Sequence, residues 1–383
     1  IVQSIFLLLS YTIPVVSGTF ADRYGFKPML IVSYLAYLPA ILLLILTKSF
    51  SGIALTMLAI GFAAGIFKPL IAGTVRVTTD TTNKTLGFGI FYAMVNIGGS
   101  FGPIVAGKLR AISWNYAFMA AAIAIGVMLV ITILFYKEPP RERSTETLGE
   151  KLRGIGVALS DVKFSVFLVL LGLFFWLPFW AFFNLCALYV DSNIDTAVLY
   201  QNFRSVLGQS VADFFSHVDE QGTSRILGET ISHTGWIIIF LQLLVSRIFE
   251  KYRAMPSFIF GLLVAAGGLA LMGYARHAAP ALVLLGIALF AIGEMITSPR
   301  IQEYITWIAP KEKAGLYMGS NFLAVAIGGL TSGFIYTTWI YKRCEAAGWP
   351  EGAWYIMAAH VLVGALVFWG FTKLAGEFEE QAA

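Results

Sequence analysis

Charge is scarce in this 383-residue chain: Asp, Glu, Lys and Arg make up 13% of it, against roughly 25% in soluble domains. With 58% hydrophobic residues beside that shortage, a soluble enzyme is almost excluded. Cysteine is limited to Cys186 and Cys344, and histidine to four positions. Neither a disulfide framework nor a cysteine-rich metal site is therefore implied. HExxH and paired aspartates within a hydrophobic run are missing too, and the GxSxG match at 98–102 lies inside a hydrophobic run rather than on a strand-to-helix turn, so nothing supports a membrane-embedded enzyme or a bound cofactor. The basic residues are scattered among short loops rather than gathered into a patch, which argues against nucleic-acid binding.

What the chain does have is hydrophobic runs of about 20 residues, enough to cross roughly 30 Å of hydrocarbon at 1.5 Å per residue. They fall near 1–21, 28–48, 52–75, 86–109, 114–136, 164–190, 234–249, 256–275, 279–308, 314–341 and 353–375. Barrel strands would show weak ten-residue alternation instead. The expected fold is thus an all-α integral membrane protein embedded in a lipid bilayer. Between the fifth and sixth runs, residues 137–163 are polar, with Leu148, Leu152, Ile155, Leu159 and Val162 at helical spacing. They read as a linker carrying an interfacial amphipathic helix. Residues 191–233 form a second polar stretch whose Val198, Phe203, Val206, Val211 and Phe214 suggest one amphipathic helix outside the membrane.

Lys and Arg are retained on the cytoplasmic side of membrane proteins. Loops of one parity, with the C-terminal tail, hold 17 of the 26 basic residues, and those of the other parity hold eight. The first set is expected to be cytoplasmic, with the C-terminus inside and the 191–233 insertion outside.

The chain also repeats itself. DRYGFKP (22–28) aligns with EKYRAMP (250–256) at an offset of 228, Gly65 with Gly293 at the same offset, and LGFGIFYAMVNIGG (86–99) with LYMGSNFLAVAIGG (316–329) at 230. Duplicated halves are a signature of transporter folds. The expected organisation is an N-terminal bundle over 1–136, a cytoplasmic linker over 137–163 and a C-terminal bundle over 164–383. The second half has six spans, and the partner of its first would lie upstream of Ile1. Five of six N-terminal helices are therefore expected here, the first being missing from the chain.

Two charges lie deep in spans. Lys68 is about 24 Å along its helix from Gly52, and Glu294 about 22 Å along its own from Ala279, so their depths agree. An ionisable residue near the bilayer centre costs roughly 2.5 to 3.5 kcal/mol on insertion scales and usually marks a pathway or coupling site. The expectation is a cation and an anion flanking one central cavity, suited to the two ends of a zwitterion and able to carry proton coupling. A structural salt bridge between them is the plainer alternative. Asn96 corresponds in the repeat to Ala326 and reads as a cavity residue, Tyr11 as a cavity residue or a packed aromatic, and Ser298, before Pro299, as lying where the helix can bend. His360 reads as packed, and His217, His233 and His277 receive no role.

These residues carry a resemblance. SGTFADRYGFKP (17–28) resembles the cytoplasmic loop signature of the major facilitator superfamily. YTIPVVSG (11–18), GIFKP (65–69), FYAMVNIGG (91–99), GEMITSP (293–299), IAPKEKAGLYMG (308–319) and FFWLPFWAFFNLCALYVD (174–191) are similar to the proton-dependent oligopeptide transporters (the POT family) of that superfamily. The resemblance implies two pseudo-symmetric six-helix bundles and proton-coupled symport of di- or tripeptides, or of a similar zwitterion, by alternating access. It implies that Lys68 takes part in proton coupling and meets the peptide carboxylate, that Glu294 receives the amino terminus, and that Tyr11, Asn96 and Ser298 line the binding cavity. Asp22 and Arg23 would latch the cytoplasmic side, with Gly18 and Gly25 permitting close approach and the tight turn.

Several positions depart from the family pattern: Trp180 and Ala181 replace a Glu-Gln pair, Thr234 and Gly235 an Asn-Pro pair, Asn321 a cavity tryptophan, and Leu70 an asparagine. Aromatic bulk at Trp180 is expected to reshape the pocket. The expected protein is a monomeric transporter in the cell inner membrane, with no resident metal or cofactor and with protons and a small molecule as partners. The alternative is a proton-coupled antiporter exporting a drug or metabolite.

Overall fold

In the computed structural model, residues 2–78, 84–139, 147–249, 251–307 and 314–378 are described. Long apolar runs with their polar backbone groups satisfied internally become five helices in the first part of the chain: α1 (Val2–Tyr24), α2 (Phe26–Leu46), α3 (Phe50–Thr78), α4 (Lys84–Ile112) and α5 (Trp114–Phe135). The expected amphipathic linker helix is α6 (Leu148–Leu159), opened by a reciprocal capping box between Thr147 and Glu150. It packs on α15 (Ala314–Ser332). The sixth apolar run is a continuous helical rod in three pieces: α7 (Val162–Leu171), wider π turns over Gly172–Trp176, and α8 (Leu177–Asn193).

The 191–233 insertion differs from expectation. Instead of one amphipathic helix it folds as α9 (Thr196–Leu207) and α10 (Gln209–Phe214), a hairpin of β1 (Ser216–Val218) and β2 (Ser224–Ile226), and the single turn α11 (Gly228–Ile231). The break falls at Gly208, whose φ of +88° ends α9. Such a left-handed backbone suits glycine and cannot continue a right-handed helix. The chain then returns through α12 (Gly235–Phe249), α13 (Ala254–Ala275), α14 (Leu282–Trp307), α15, π turns over Gly333–Tyr341, α16 (Lys342–Ala346) and α17 (Gly352–Leu374). Among the described residues, eight helical segments are long and apolar enough to cross a membrane.

Close glycine crossings set the helix positions. Ser17 on α1 donates to the Gly65 carbonyl on α3 at 3.0 Å, and a Cβ on Gly65 would fall 2.5 Å from Ile13. In the second group a Cβ on Gly293 would meet Ala265 and the Gly261 carbonyl, each at 2.7 Å, so α14 lies backbone to backbone on α13. Aromatic residues from α7, α8, α13, α14 and α17 fill the core of this group, with Phe182 stacked on Phe290 at 3.9 Å. By contrast α5 turns Ile123, Val127, Val130, Leu134 and Phe135 outward, the pattern of a helix bathed in lipid tails.

The loop between α1 and α2 turns at Gly25, with φ +113°. The carboxylate at this helix start is Glu138, beyond α5: its oxygens accept from the backbone N–H groups of Phe26 (2.8 Å) and Lys27 (2.6 Å), where the exposed donors and partial positive charge of α2 favour an anion. Arg23 is exposed and rests against the Tyr24 ring. Gly18 and Asp22 lie on α1, but the surroundings of their side chains fall outside the described residues, as do residues 308–313 of the second-half motif. A side chain at position 25 would meet both a glycine-only backbone and the Glu138 carboxyl at 3.1 Å. Gly25→Ala is expected to destabilise the protein by about 1–3 kcal/mol, read as a lower unfolding midpoint in detergent.

Candidate functional site

Gly65 holds α3 against α1, and Lys68, one turn further on, therefore comes beside Tyr11. Its Nζ lies 3.5 Å from the centre of the Tyr11 ring, a cation–π contact that holds the ammonium without neutralising it. Tyr11 in turn meets two rings of the second helix group, Trp180 of α8 at 5.7 Å and Phe322 of α15 at 6.2 Å. Lys68 thus sits at the seam between the two helix groups, walled by aromatics. Among the described residues it forms no ion pair. Trp180 does shape this wall, as its bulk suggested.

Glu294 is placed by the tight α13–α14 crossing at its neighbour Gly293. It lines a small, mainly apolar pocket with Phe175, Phe179, Phe290, Leu262 and Thr297, with room for about one or two water molecules. The Thr234 side chain, just before α12, hydrogen-bonds the carboxylate. The second oxygen, Oε2, is enclosed and has no hydrogen-bond partner among the described residues. An enclosed, unsatisfied carboxylate oxygen is costly, and a proton or an ammonium group relieves that cost. Every residue lining this pocket belongs to the second helix group, and Lys68 is not among them. The two charges therefore neither pair nor share this pocket: each stands without an opposite charge, in its own aromatic surroundings.

Asn96 is buried on α4, and Ser100 lies one turn beyond it on the same face. Ser100 and Gly99 meet α12 at its start, where a Cβ on Gly235 would run into Ser100 and one on Gly99 would fall 2.7 Å from the His233 ring. Ser298 lies one turn beyond Glu294 on α14, partly exposed. Reading the sequence attached no role to His233, Phe175, Phe179 or Phe290, and marked Thr234 only as a departure. Thr234 carried a signal, a hydroxyl where an Asn-Pro pair is usual; the phenylalanines carried none, because aromatic residues abound in every span. His360 is packed, bonded to Tyr336 at 2.8 Å and edge-on to Phe174.

Two helix groups meet at a seam, and among the described residues neither Lys68 nor Glu294 has an ion-pair partner; paired bundles of this kind are the architecture of transporter folds. The chain belongs to the Major Facilitator Superfamily, whose model matches residues 1–333, and it is an integral membrane transporter of that fold. It is 22% identical over 333 residues to a Na(+), Li(+), K(+)/H(+) antiporter of Planococcus maritimus, covering 81% of this chain and 74% of that protein. To the class H tetracycline resistance protein of Pasteurella multocida it is 24% identical over 359 residues, covering 92% and 79%. Among solved structures it is similar to a POT family transporter in complex with 5-aminolevulinic acid, with a TM-score of 0.72 and 18% identity over 97% of this chain and 86% of that one. The nucleoside transporter NupG gives a TM-score of 0.69 at 13% identity, covering 97% and 90%.

If the aromatic cradle of Lys68 keeps its ammonium in place, Tyr11→Leu should weaken substrate binding by about three- to tenfold, the scale of one cation–π contact. Equilibrium binding in detergent, with Tyr11→Phe retaining affinity, checks this.

Proposed function

We propose that this chain is a proton-coupled symporter of a small zwitterionic solute, a di- or tripeptide or a similar amino acid derivative, working by alternating access as a monomer in the inner membrane. The observation that carries the reading is the pair of uncompensated charges. Lys68 rests on a neutral ring instead of a carboxylate, and Glu294 has an enclosed oxygen without a donor. A zwitterion entering between the helix groups when the seam opens would supply both missing partners, its carboxylate to Lys68 and its amine to Glu294, which in this state lie in separate surroundings. In the loaded carrier the transported proton would ride on the Lys68 ammonium that meets the solute carboxylate, and the empty carrier would return with a neutral amine, which links solute and proton occupancy in the same direction. Tyr11, which touches Lys68, Ser298, one turn from Glu294, and Asn96, buried on α4, would complete the walls. Gly18, Asp22, Arg23 and Gly25 would close the cytoplasmic side as α1 and α2 rock. The likeness of fold to transporters solved with 5-aminolevulinic acid and with alafosfalin supports this solute class.

A second reading has its own observation. Phe175, Phe179 and Phe290 around Glu294 make a setting suited to an apolar organic cation, and relatives named as a tetracycline resistance protein and as multidrug resistance proteins agree with proton-coupled export. Reconstituted vesicles separate the two. Under symport, an inward proton gradient concentrates a labelled dipeptide. Absence of dipeptide accumulation, together with proton release on adding a lipophilic cation, rejects symport in favour of export.

A further inference from the structure

The insertion between α8 and α12 is fastened to the other helix group. Arg110, at the end of α4, pairs with Glu229 of α11 at 2.6 Å and lies 3.7 Å from Asp191 near the end of α8. The two carboxylates are themselves drawn together, because Asp191 Oδ1 accepts the Gly228 N–H at 2.7 Å. Two residues earlier Lys108 donates to the Asp213 carbonyl at 3.0 Å and lies over the Phe214 ring. Leu227 approaches Gly107, where a Cβ would lie 3.5 Å away. Deeper still, Phe101 of α4 packs edge-on against Phe214 and Trp236. The contact thus runs along α4 from Arg110 to Phe101, about two and a half turns, and joins the two helix groups over the seam.

We propose that residues 194–231 form the outer gate of the transport pathway, and that Arg110 with Glu229 and Asp191 is its latch. The three side chains are 25–34% exposed, and ion pairs this wet contribute little individually. A contact that opens in every cycle has to be weak in this way. Two carboxylates around one guanidinium give it direction, since planar Arg engages carboxylates through several donors at once. The hairpin behind α11 has its own ties: Arg225 pairs with Asp219 at 2.7 Å, Asp219 caps the turn at Gln221 and Thr223, and Thr230 bonds the Phe215 carbonyl at 3.0 Å. These hold it together, and the Gly228–Asp191 and Trp236–Thr230 hydrogen bonds tie it to α8 and α12, so that it moves with them when the helix groups rock apart. The gate is independent of which solute is carried, so its failure and the failure of the proposed symport are distinguishable.

The test reads accessibility, not transport. In a background with Cys186 and Cys344 replaced by alanine, Ser100→Cys places a thiol on α4 about 15 Å below Arg110, beneath the insertion. Labelling by a membrane-impermeant maleimide added from the insertion side should be slow with the latch intact. With Arg110→Gln it should rise about tenfold, within the usual range for a released coupling, and likewise with Glu229→Gln. Glu229→Gln breaks the same pair from the other side and carries the expectation if Arg110→Gln does not accumulate. A double variant, Arg110→Cys with Glu229→Cys on a protein whose Ser100 is unchanged, should lose uptake on oxidation and regain it on reduction. Unchanged labelling in both charge variants overturns the gate. So does an equal rise in labelling from both membrane faces, which would mark the contact as a general structural tie.

Discussion

Lys68→Ala is expected to abolish proton-driven accumulation while leaving solute counterflow measurable. Driven uptake requires that the solute-free and loaded carriers differ in which charges are compensated. In the structure Lys68 is held by the Tyr11 ring and, among the described residues, by no carboxylate, so removing the ammonium removes the group that responds when a solute carboxylate arrives. Counterflow exchanges loaded carriers only and does not need the empty carrier to reset. The expected loss in driven uptake is 100-fold or more, about 3 kcal/mol, whereas exchange should fall by about tenfold or less from weaker binding. Proteoliposomes with and without an imposed proton gradient measure both. Driven uptake at the normal rate in Lys68→Ala would remove Lys68 from coupling.

The second large effect is expected at Glu294. Glu294→Gln keeps the shape and the Thr234 contact but fixes the group in a neutral state, equivalent to permanent protonation. An amine-bearing solute then loses a charge-assisted bond in an enclosed setting, about 1.5–3 kcal/mol or ten- to a hundredfold in affinity. An N-acetylated analogue, which has no ammonium to lose, should bind almost as before. Comparing the two ligands in the same variant cancels general damage to the fold. Equal loss for both would exclude amine recognition. Loss of affinity for lipophilic cations alone would favour the export reading and the aromatic pocket around Glu294.

Lys68 and Glu294 show how much of the site was readable in one dimension. Their depth follows from counting along helices, and the amino acid type announces itself against an apolar background. Their relation does not. The sequence suggested one cavity between them, with a salt bridge as the alternative. Among the described residues the two form no ion pair, and the pocket that Glu294 lines, inside the second helix group, does not include Lys68, which is at the seam. A helix can be rotated about its axis without altering the depth of any residue, so depth alone leaves facing undecided. Trp180 lies between these cases. Its unusual bulk was visible, but its contact with Tyr11 required both helices in place. The carboxylate that accepts from the first N–H groups of α2 is Glu138, 112 residues from Phe26 along the chain, a partner that no local motif announces. Trp180 and Ala181 carry no charge, while an ionic contact between the helix groups is made by Arg110, at the end of α4, with Glu229 and with Asp191 near the end of α8, which hydropathy does not single out.

The sequence by itself determined that the chain lives in a bilayer, where its spans and linker helix lie, that its halves repeat, and which two charges enter the membrane. These are properties of length, composition and spacing, set by the cost of placing polar groups in hydrocarbon. Only the tertiary structure decided that aromatic rings cradle Lys68, that Thr234 reaches Glu294, that the insertion breaks at Gly208 into a folded cap, and that this cap grips α4. Each of those depends on which faces of separate helices meet, and the glycine crossings that set the facing act through contacts between residues far apart in the chain.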